Sequence, residues 1–218
     1  MAKDWQEKLE NKVKEYLAGY TACHDFWHHE RVKNWALKIS KEVPCDKNVL
    51  VAAALLHDAG YKNHENNDDN HHEYSMEIAE KWLPEVGFPQ EKIADVLAVI
   101  KMHDNLGEAN MIDTDHIETK VLQDADKLDA LGATGIARFA YYYGERGHAI
   151  YSEEPIPEDS DKLWIDHSLL DQLRRDGLKK WEKLHFDYSK RVSKKKHDFM
   201  VNFYNELKEE LQSEESMT

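Results

Sequence analysis

The chain has 218 residues, 41% hydrophobic and 33% charged, enough for one large domain or two small ones, and no shift in composition marks a boundary. A formal net charge of −14 argues against a nonspecific grip on a nucleic acid polymer, whose phosphates are held by clustered Lys and Arg. No apolar run is long enough for a membrane span, the first residues lack the apolar core of a signal peptide, and Cys23 and Cys45 have no Cys-x-x-Cys spacing. A cytoplasmic protein is therefore expected, without membrane anchor, disulfide framework or thiolate zinc site.

Helical periodicity dominates and no alternating strand appears, which predicts an all-α fold. Trp5, Leu9, Val13, Tyr16 and Tyr20 keep helical spacing through the first segment. A second helix is expected over about 28–43, ending before Pro44, with Val32, Trp35, Ala36, Ile39 and Val43 on its apolar face and His28 in phase with them. Asp25 reads as its cap. The most apolar stretch, Val49 to Leu56, reads as a helix buried on every side and closed by His57-Asp58 near Gly60. A polar loop over 62–70 follows.

A fourth helix over about 72–86 puts Met76, Ala79, Leu83 and Val86 in phase with His72, while His71 shares a face with Ile78 and Trp82. Gly87 and Pro89 break it. A fifth carries Ile93, Val96 and Ile100 and places His103 on the same face. Another begins near Thr119 and contains Val121, Leu122, Ala125, Asp126, Leu128 and Asp129. The segment 144–166, with Pro155, Pro157 and several acids, reads as a long insertion. Two last helices, about 168–184 and 188–211, pack Leu169, Leu173, Phe199, Phe203 and Leu207, and 213–218 reads as a disordered tail. The basic run Lys194-Lys195-Lys196 reads as a solvated helix face.

The chain holds four His-Asp dipeptides, at His24, His57, His103 and His197, of which only His57-Asp58 ends a fully apolar helix. Burying an imidazole beside a carboxylate is costly unless something satisfies both, and a cation does so. His28, His57, His72 and His103 all stand in phase with apolar faces of different helices, with His24 a rival to His28 four residues away. Mixed imidazole and carboxylate ligation suits manganese, iron, cobalt, nickel or zinc better than calcium. Periodicity does not choose between Asp124 and Asp126 as a further ligand.

These residues carry a family resemblance. His28-x-x-Arg31-Val32, His57-Asp58 and Gln123-Asp124-Ala125-Asp126-Lys127-Leu128-Asp129-Ala130-Leu131-Gly132 resemble the HD-domain superfamily of metal-dependent phosphohydrolases, and the longer match from His24 to Arg138 is similar to the bacterial YpgQ and YedJ type. The resemblance implies an HD-type helical bundle of roughly eight to ten helices, filling residues 1–212 as a single domain. It implies one divalent ion held by His28, His57, Asp58 and Asp126, manganese first, with magnesium, cobalt, nickel, iron and zinc open, and it selects Asp126 over Asp124. His72 and His103 match places where relatives put phosphate-binding or second-metal ligands, and phosphate contact or proton donation is favoured here.

The expected chemistry is attack of a metal-bound water on a phosphoryl group, the ion lowering the pKa of that water toward ~7. Asp58 binds the ion and takes the water's proton. His103 and Lys62 assist, Arg31, His72, His103 and Lys127 contact phosphate, and Asp129 either orients a ligand or forms a helix salt bridge. The leading expectation is a nucleotide pyrophosphohydrolase cleaving (deoxy)nucleoside triphosphates to monophosphate and pyrophosphate. The alternatives are a nucleoside 5′-monophosphatase, a cyclic or alarmone nucleotide phosphodiesterase, and, in another class, a non-catalytic nucleotide-binding regulator. The partner is then a small phosphorylated molecule, not a membrane or nucleic acid polymer, with monomer and homodimer both open. Tyr141, Tyr142, Tyr143 and Tyr151 are candidates for base stacking, with core packing the alternative for at least some of them.

Overall fold

A computed structural model of the chain describes residues 4–63, 70–103, 116–154 and 168–212. Among them are nine α-helices, three short 3-10 segments and no strand, so the all-α expectation holds. No helix of the described residues is long and apolar enough to cross a membrane. The proline-rich part of the expected insertion, 155–166, and the tail 213–218 lie outside the described residues.

The chain divides into two compact units, Met1–Asp126 and Lys127–Thr218. The first contains α1 (Asp4–Tyr16), α2 (Phe26–Ile39), α3 (Lys47–Leu56), α4 (His71–Val86), α5 (Ile93–Met102) and most of α6 (Ile117–Asp129). Here α3 is the centre: α1, α2, α4 and α5 all pack against it. The sequence dictates this, because α3 has no polar face to show to water. Every residue from Val49 to Leu56 is buried. Each large side chain so buried stabilises the fold by roughly 1.5–3 kcal/mol.

Both ends of α3 are controlled. Asp46 caps its start, Oδ1 accepting from the N–H groups of Asn48 (2.9 Å) and Val49 (3.2 Å). At the other end His57 is the C-cap, and a 3-10 turn, Ala59–Asn63, leads away. That turn packs on the start of α4, and Gly60 is what lets it do so. A Cβ at position 60 would fall 2.0 Å from the His71 carbonyl oxygen and 2.6 Å from Ser75 N, while Gly60 N–H donates to Ser75 Oγ at 2.9 Å. Helix α4 stops at Gly87, whose φ of 80° only glycine adopts without strain.

The second unit holds α7 (Gly132–Glu145), α8 (Leu169–Arg175) and α9 (Asp187–Gln212), with α7 and α8 both packed on α9. Its core gathers Leu131, Phe139, Tyr143, Leu169, Leu173 and Met200. The helix expected over 168–184 is instead α8 followed by a 3-10 run, Gly177–Lys183. Phe199, expected to pack inward, is 50% exposed; Met200, one residue on, takes the inward position. Of the tyrosines, Tyr143 is core and Tyr142 lies under the Arg146 guanidinium at 3.6 Å, while Tyr141 is exposed. Lys194 and Lys195 lie on a solvated face, and Lys196 donates to the Leu131 carbonyl at 3.0 Å.

Candidate metal centre

Asp58 is buried at the C-terminal end of α3, where the backbone carbonyls already carry partial negative charge. A carboxylate there needs compensation, and it is ringed by imidazoles. Oδ2 lies 3.2 Å from His57 Nε2, 3.3 Å from His28 Nε2 and 3.9 Å from His24 Nε2. Oδ1 lies 3.1 Å from His103 Nε2 and 3.5 Å from His71 Nε2. Burial by itself would push the Asp58 carboxyl up; the close imidazoles of His57, His103 and His28 outweigh it and hold the group well below the usual carboxylate range.

His28, His57 and His103 are each delivered by their own anchor. Asp25 caps α2 by accepting from His28 N–H at 2.9 Å, which places His28 on the first inward turn, and His28 Nε2 also lies 3.6 Å from Asp126 Oδ1 on α6. His57 and His103 are the C-cap residues of α3 and α5. Both direct Nδ1 at a carbonyl of the preceding turn, Ala54 at 3.0 Å and Ile100 at 2.6 Å. A carbonyl only accepts, so Nδ1 carries the hydrogen in each ring.

That assignment tests whether a metal fits. With Nδ1–H committed, Nε2 of a neutral His57 or His103 presents a lone pair, and both atoms face a carboxylate held in its charged form. Lone pair against carboxylate is repulsive unless a cation or proton lies among them. His57 Nε2 is buried and has no hydrogen-bond partner. An imidazole with one nitrogen on a backbone carbonyl and the other aimed at a shared point is the arrangement of a metal-bound histidine. Among the described residues, two overlapping groups meet the spacing for an ion, His28/His57/Asp58 and Asp58/His71/His103, the ligand atoms in each lying within 4.8 Å of one another. The residues fit a divalent cation.

The sequence-derived candidates fall out unevenly. His28, His57, Asp58 and His103 converge, and Asp126 stands at the edge, its side chain 37% exposed beside His28. Asp124 is fully buried. Expected on the inward face of α4, His72 is only half-buried; His71, where α4 begins, is the residue that reaches Asp58. Ala79, Leu83 and Val86 are buried as expected, but in the first turns of α4 His71, Ser75 and Ile78 face inward in place of His72 and Met76. Lys62 is exposed on the 3-10 turn and donates to the Tyr16 carbonyl, with its ammonium 4.9 Å from the Tyr16 ring centre. Arg31 is half-buried on α2. In the second unit, Lys127 is half-buried, and buried Asp129 accepts from Arg138 Nη1 at 3.2 Å, the helix salt-bridge alternative.

Residues that periodicity did not single out complete the surroundings. His29 is fully buried behind His28 and His57, its ring centroid 5.0 Å from that of His57. Burial and the flanking imidazoles push its pKa far down, keeping it neutral. Tyr61 stacks between His24 and His71. A half-exposed tyrosine in a polar loop gives no signal in sequence, because the rings it touches come from other segments.

A family model for the HD domain matches residues 26–131, which contain His28, His57, Asp58 and Asp126. An HD-superfamily hydrolase of solved structure from Bacillus thuringiensis is 30% identical, with 96% of this chain and 97% of that one covered and a TM-score of 0.69. The chain belongs to the HD superfamily. This HD protein is thus a metal-dependent phosphohydrolase by family, with its His-Asp pair at the centre of the imidazole cluster. YpgQ of Bacillus subtilis is 26% identical over 208 residues, which is 94% of this HD protein and 93% of YpgQ. The crystal structure of Bacillus subtilis YpgQ in complex with ADP shares the fold, with a TM-score of 0.73 at 24% identity over 95% of this chain and 98% of that one.

Proposed function

We propose that this HD protein is a nucleotide pyrophosphohydrolase that cleaves (deoxy)nucleoside triphosphates to the monophosphate and pyrophosphate. The observation that carries a phosphohydrolase reading is the buried Asp58 carboxylate facing the Nε2 atoms of His57 and His103, whose rings are already anchored through Nδ1. What favours a nucleotide is the likeness, over nearly the whole chain, to YpgQ, a protein crystallised in complex with ADP. His28, His57, Asp58 and Asp126 would hold one divalent ion, with manganese the first choice from the resemblance to the HD superfamily and the mixed imidazole and carboxylate set open to other divalent metals. When bound, such an ion polarises a phosphoryl oxygen and acidifies a water toward a pKa of ~7.

The protein's own groups supply the remainder. Asp58 directs Oδ2 toward His28 and His57 and Oδ1 toward His103 and His71, so one oxygen would be available to an ion while the other would orient the attacking water and take its proton. His103 Nε2, held in direction by its Nδ1 bond, contacts the phosphate or passes on a proton. His72, half-buried beside His71, and Arg31 add phosphate contacts at the rim. Lys62 reaches the substrate by leaving the Tyr16 carbonyl, its position on the exposed turn giving it that freedom. Burial of the cluster lowers the local dielectric and strengthens each of these contacts.

The test is to load the purified full chain with manganese, cobalt, nickel or magnesium and assay a nucleotide panel, measuring pyrophosphate and orthophosphate separately. Pyrophosphate from triphosphates is the expected product. Orthophosphate from monophosphates would replace this reading with a nucleotidase, and tight binding without turnover with a regulator.

A further inference from the structure

Tyr61 belongs to no ligand set, yet its ring is the surface shared by two of the histidines around Asp58. His24 stacks on one face, with centroids 4.2 Å apart and planes at 15°, and His71 on the other, at 4.0 Å and 6°. The two imidazoles reach opposite oxygens of one carboxylate: His24 Nε2 is 3.9 Å from Asp58 Oδ2 and His71 Nε2 is 3.5 Å from Oδ1. Three flat rings thus form a layered stack beside the carboxylate.

Such a stack removes a specific freedom. Rotation of an imidazole about χ2 is broad and weakly restrained, so a histidine held only through one nitrogen can swing its ring plane. Near-parallel contact with a fixed aromatic face confines that plane. Tyr61 is itself well fixed, its N–H donating to the Asp58 carbonyl at 3.2 Å and its carbonyl accepting from the Tyr20 hydroxyl at 2.8 Å. The preceding Gly60 seats the turn against His71 and Ser75. The stack is therefore placed by the backbone that directly follows His57-Asp58. His28 and His57 are set separately, by the Asp25 cap and the Ala54 carbonyl.

We propose that Tyr61 is a positioning residue, a planar spacer that holds the imidazoles of His24 and His71 on either side of Asp58, where they orient the phosphate oxygens of the substrate. This rests on the Asp58 cluster being the phosphohydrolase centre proposed above. The role needs an aromatic face, so Tyr61→Phe keeps it and Tyr61→Leu does not.

The experiment compares the imidazole nitrogen NMR signals of the full-length, metal-free wild type, Tyr61→Phe and Tyr61→Leu, then their kcat and KM for the nucleotide and their manganese affinity. In Tyr61→Leu the His24 and His71 signals are expected to shift or broaden while those of His28 and His57 stay. With those rings misplaced, kcat falls about tenfold; the manganese Kd stays near wild type. Tyr61→Phe is expected to match wild type throughout. Unmoved His24 and His71 signals in Tyr61→Leu, an unchanged kcat, or a Tyr61→Phe that behaves like Tyr61→Leu would each overturn the proposal. If Tyr61→Leu does not fold, Tyr61→Met fills the slot without a planar face and takes its place. Should the wild type hydrolyse no nucleotide, the nucleotide reading fails by itself. The stack is then judged by the imidazole signals and by whether Tyr61→Leu loses binding of inorganic phosphate.

Discussion

His103 Nε2 stands 3.1 Å from Asp58 Oδ1 while the other nitrogen of the same ring is bonded to the Ile100 carbonyl. The two side chains close the C-terminal ends of neighbouring packed helices, α5 and α3, and meet at a point where a positive charge is required. Replacing Asp58 by Asn keeps the volume and removes that requirement. Asp58→Asn is expected to weaken manganese binding by at least about a hundredfold, more than the loss of an outer-sphere partner. It is also expected to abolish hydrolysis while the helical circular dichroism persists. Calorimetric metal titration and the nucleotide assay check this, and full activity in the variant would sink the site.

Ion binding to the folded state alone adds stability by mass action. At a free concentration of ~100 Kd the gain is roughly 2.7 kcal/mol. Chelation is expected to lower the melting temperature of the wild type and to leave that of His57→Ala unchanged, as followed by differential scanning fluorimetry with and without manganese.

Gly60 faces the start of α4 too closely for any side chain, a Cβ there lying 2.0 Å from the His71 oxygen. Gly60→Ala must push the turn and α4 apart, at a cost on the order of 1–3 kcal/mol, the usual range for overpacking. Denaturant unfolding measures the loss. Because the displaced turn carries Tyr61, the His71 imidazole signal is expected to move as well.

Asp46 caps α3 and accepts from Lys92 Nζ at 2.6 Å. Partial burial pushes its carboxyl up, but the bonds from Lys92, Val49 and Asn48 prevail and its pKa lies below the ordinary value. A carboxyl with a lowered folded pKa binds fewer protons in the folded than in the unfolded state. Its stabilisation is therefore complete above the unfolded pKa of about 4 and lost as pH falls through the folded value. Asp46→Ala is expected to cost about 1 kcal/mol at neutral pH, the gap from wild type narrowing as the pH drops below that value. Urea melts across an acid series read both.

In the second unit, Asp129 is buried and bonded to Arg138, whose side chain is largely covered. Arg138→Met takes the cationic partner away from a buried carboxylate and is expected to destabilise the protein by about 3 kcal/mol. Adding Asp129→Leu should recover most of that loss. A double-mutant cycle in denaturant tests the coupling, and a full loss retained in the double variant would count against it.

The sequence by itself determined the helices and the centre. Periodicity placed α1 to α6 and α9 to within a few residues, because an apolar stripe must turn toward a core, and α3 had to be central because it is apolar on every side; it gave no separate helix for α7 and overran the end of α8. The same logic pointed His28, His57 and His103 inward and made Asp25 a cap. Resolving power ended at neighbouring positions: His71 and His72 lie about 100° apart on a helix, so a wide apolar stripe admits either, and only the docking of the Gly60 turn on α4 puts His71 against Asp58. Likewise Met200 displaced Phe199 by one step on α9. Contacts between distant segments leave no periodic trace, and these were decided by tertiary structure alone: Asp58 dividing its oxygens between two sets of imidazoles, Asp129 pairing with Arg138, Lys62 turning to the Tyr16 carbonyl, and Tyr61 lying between His24 and His71.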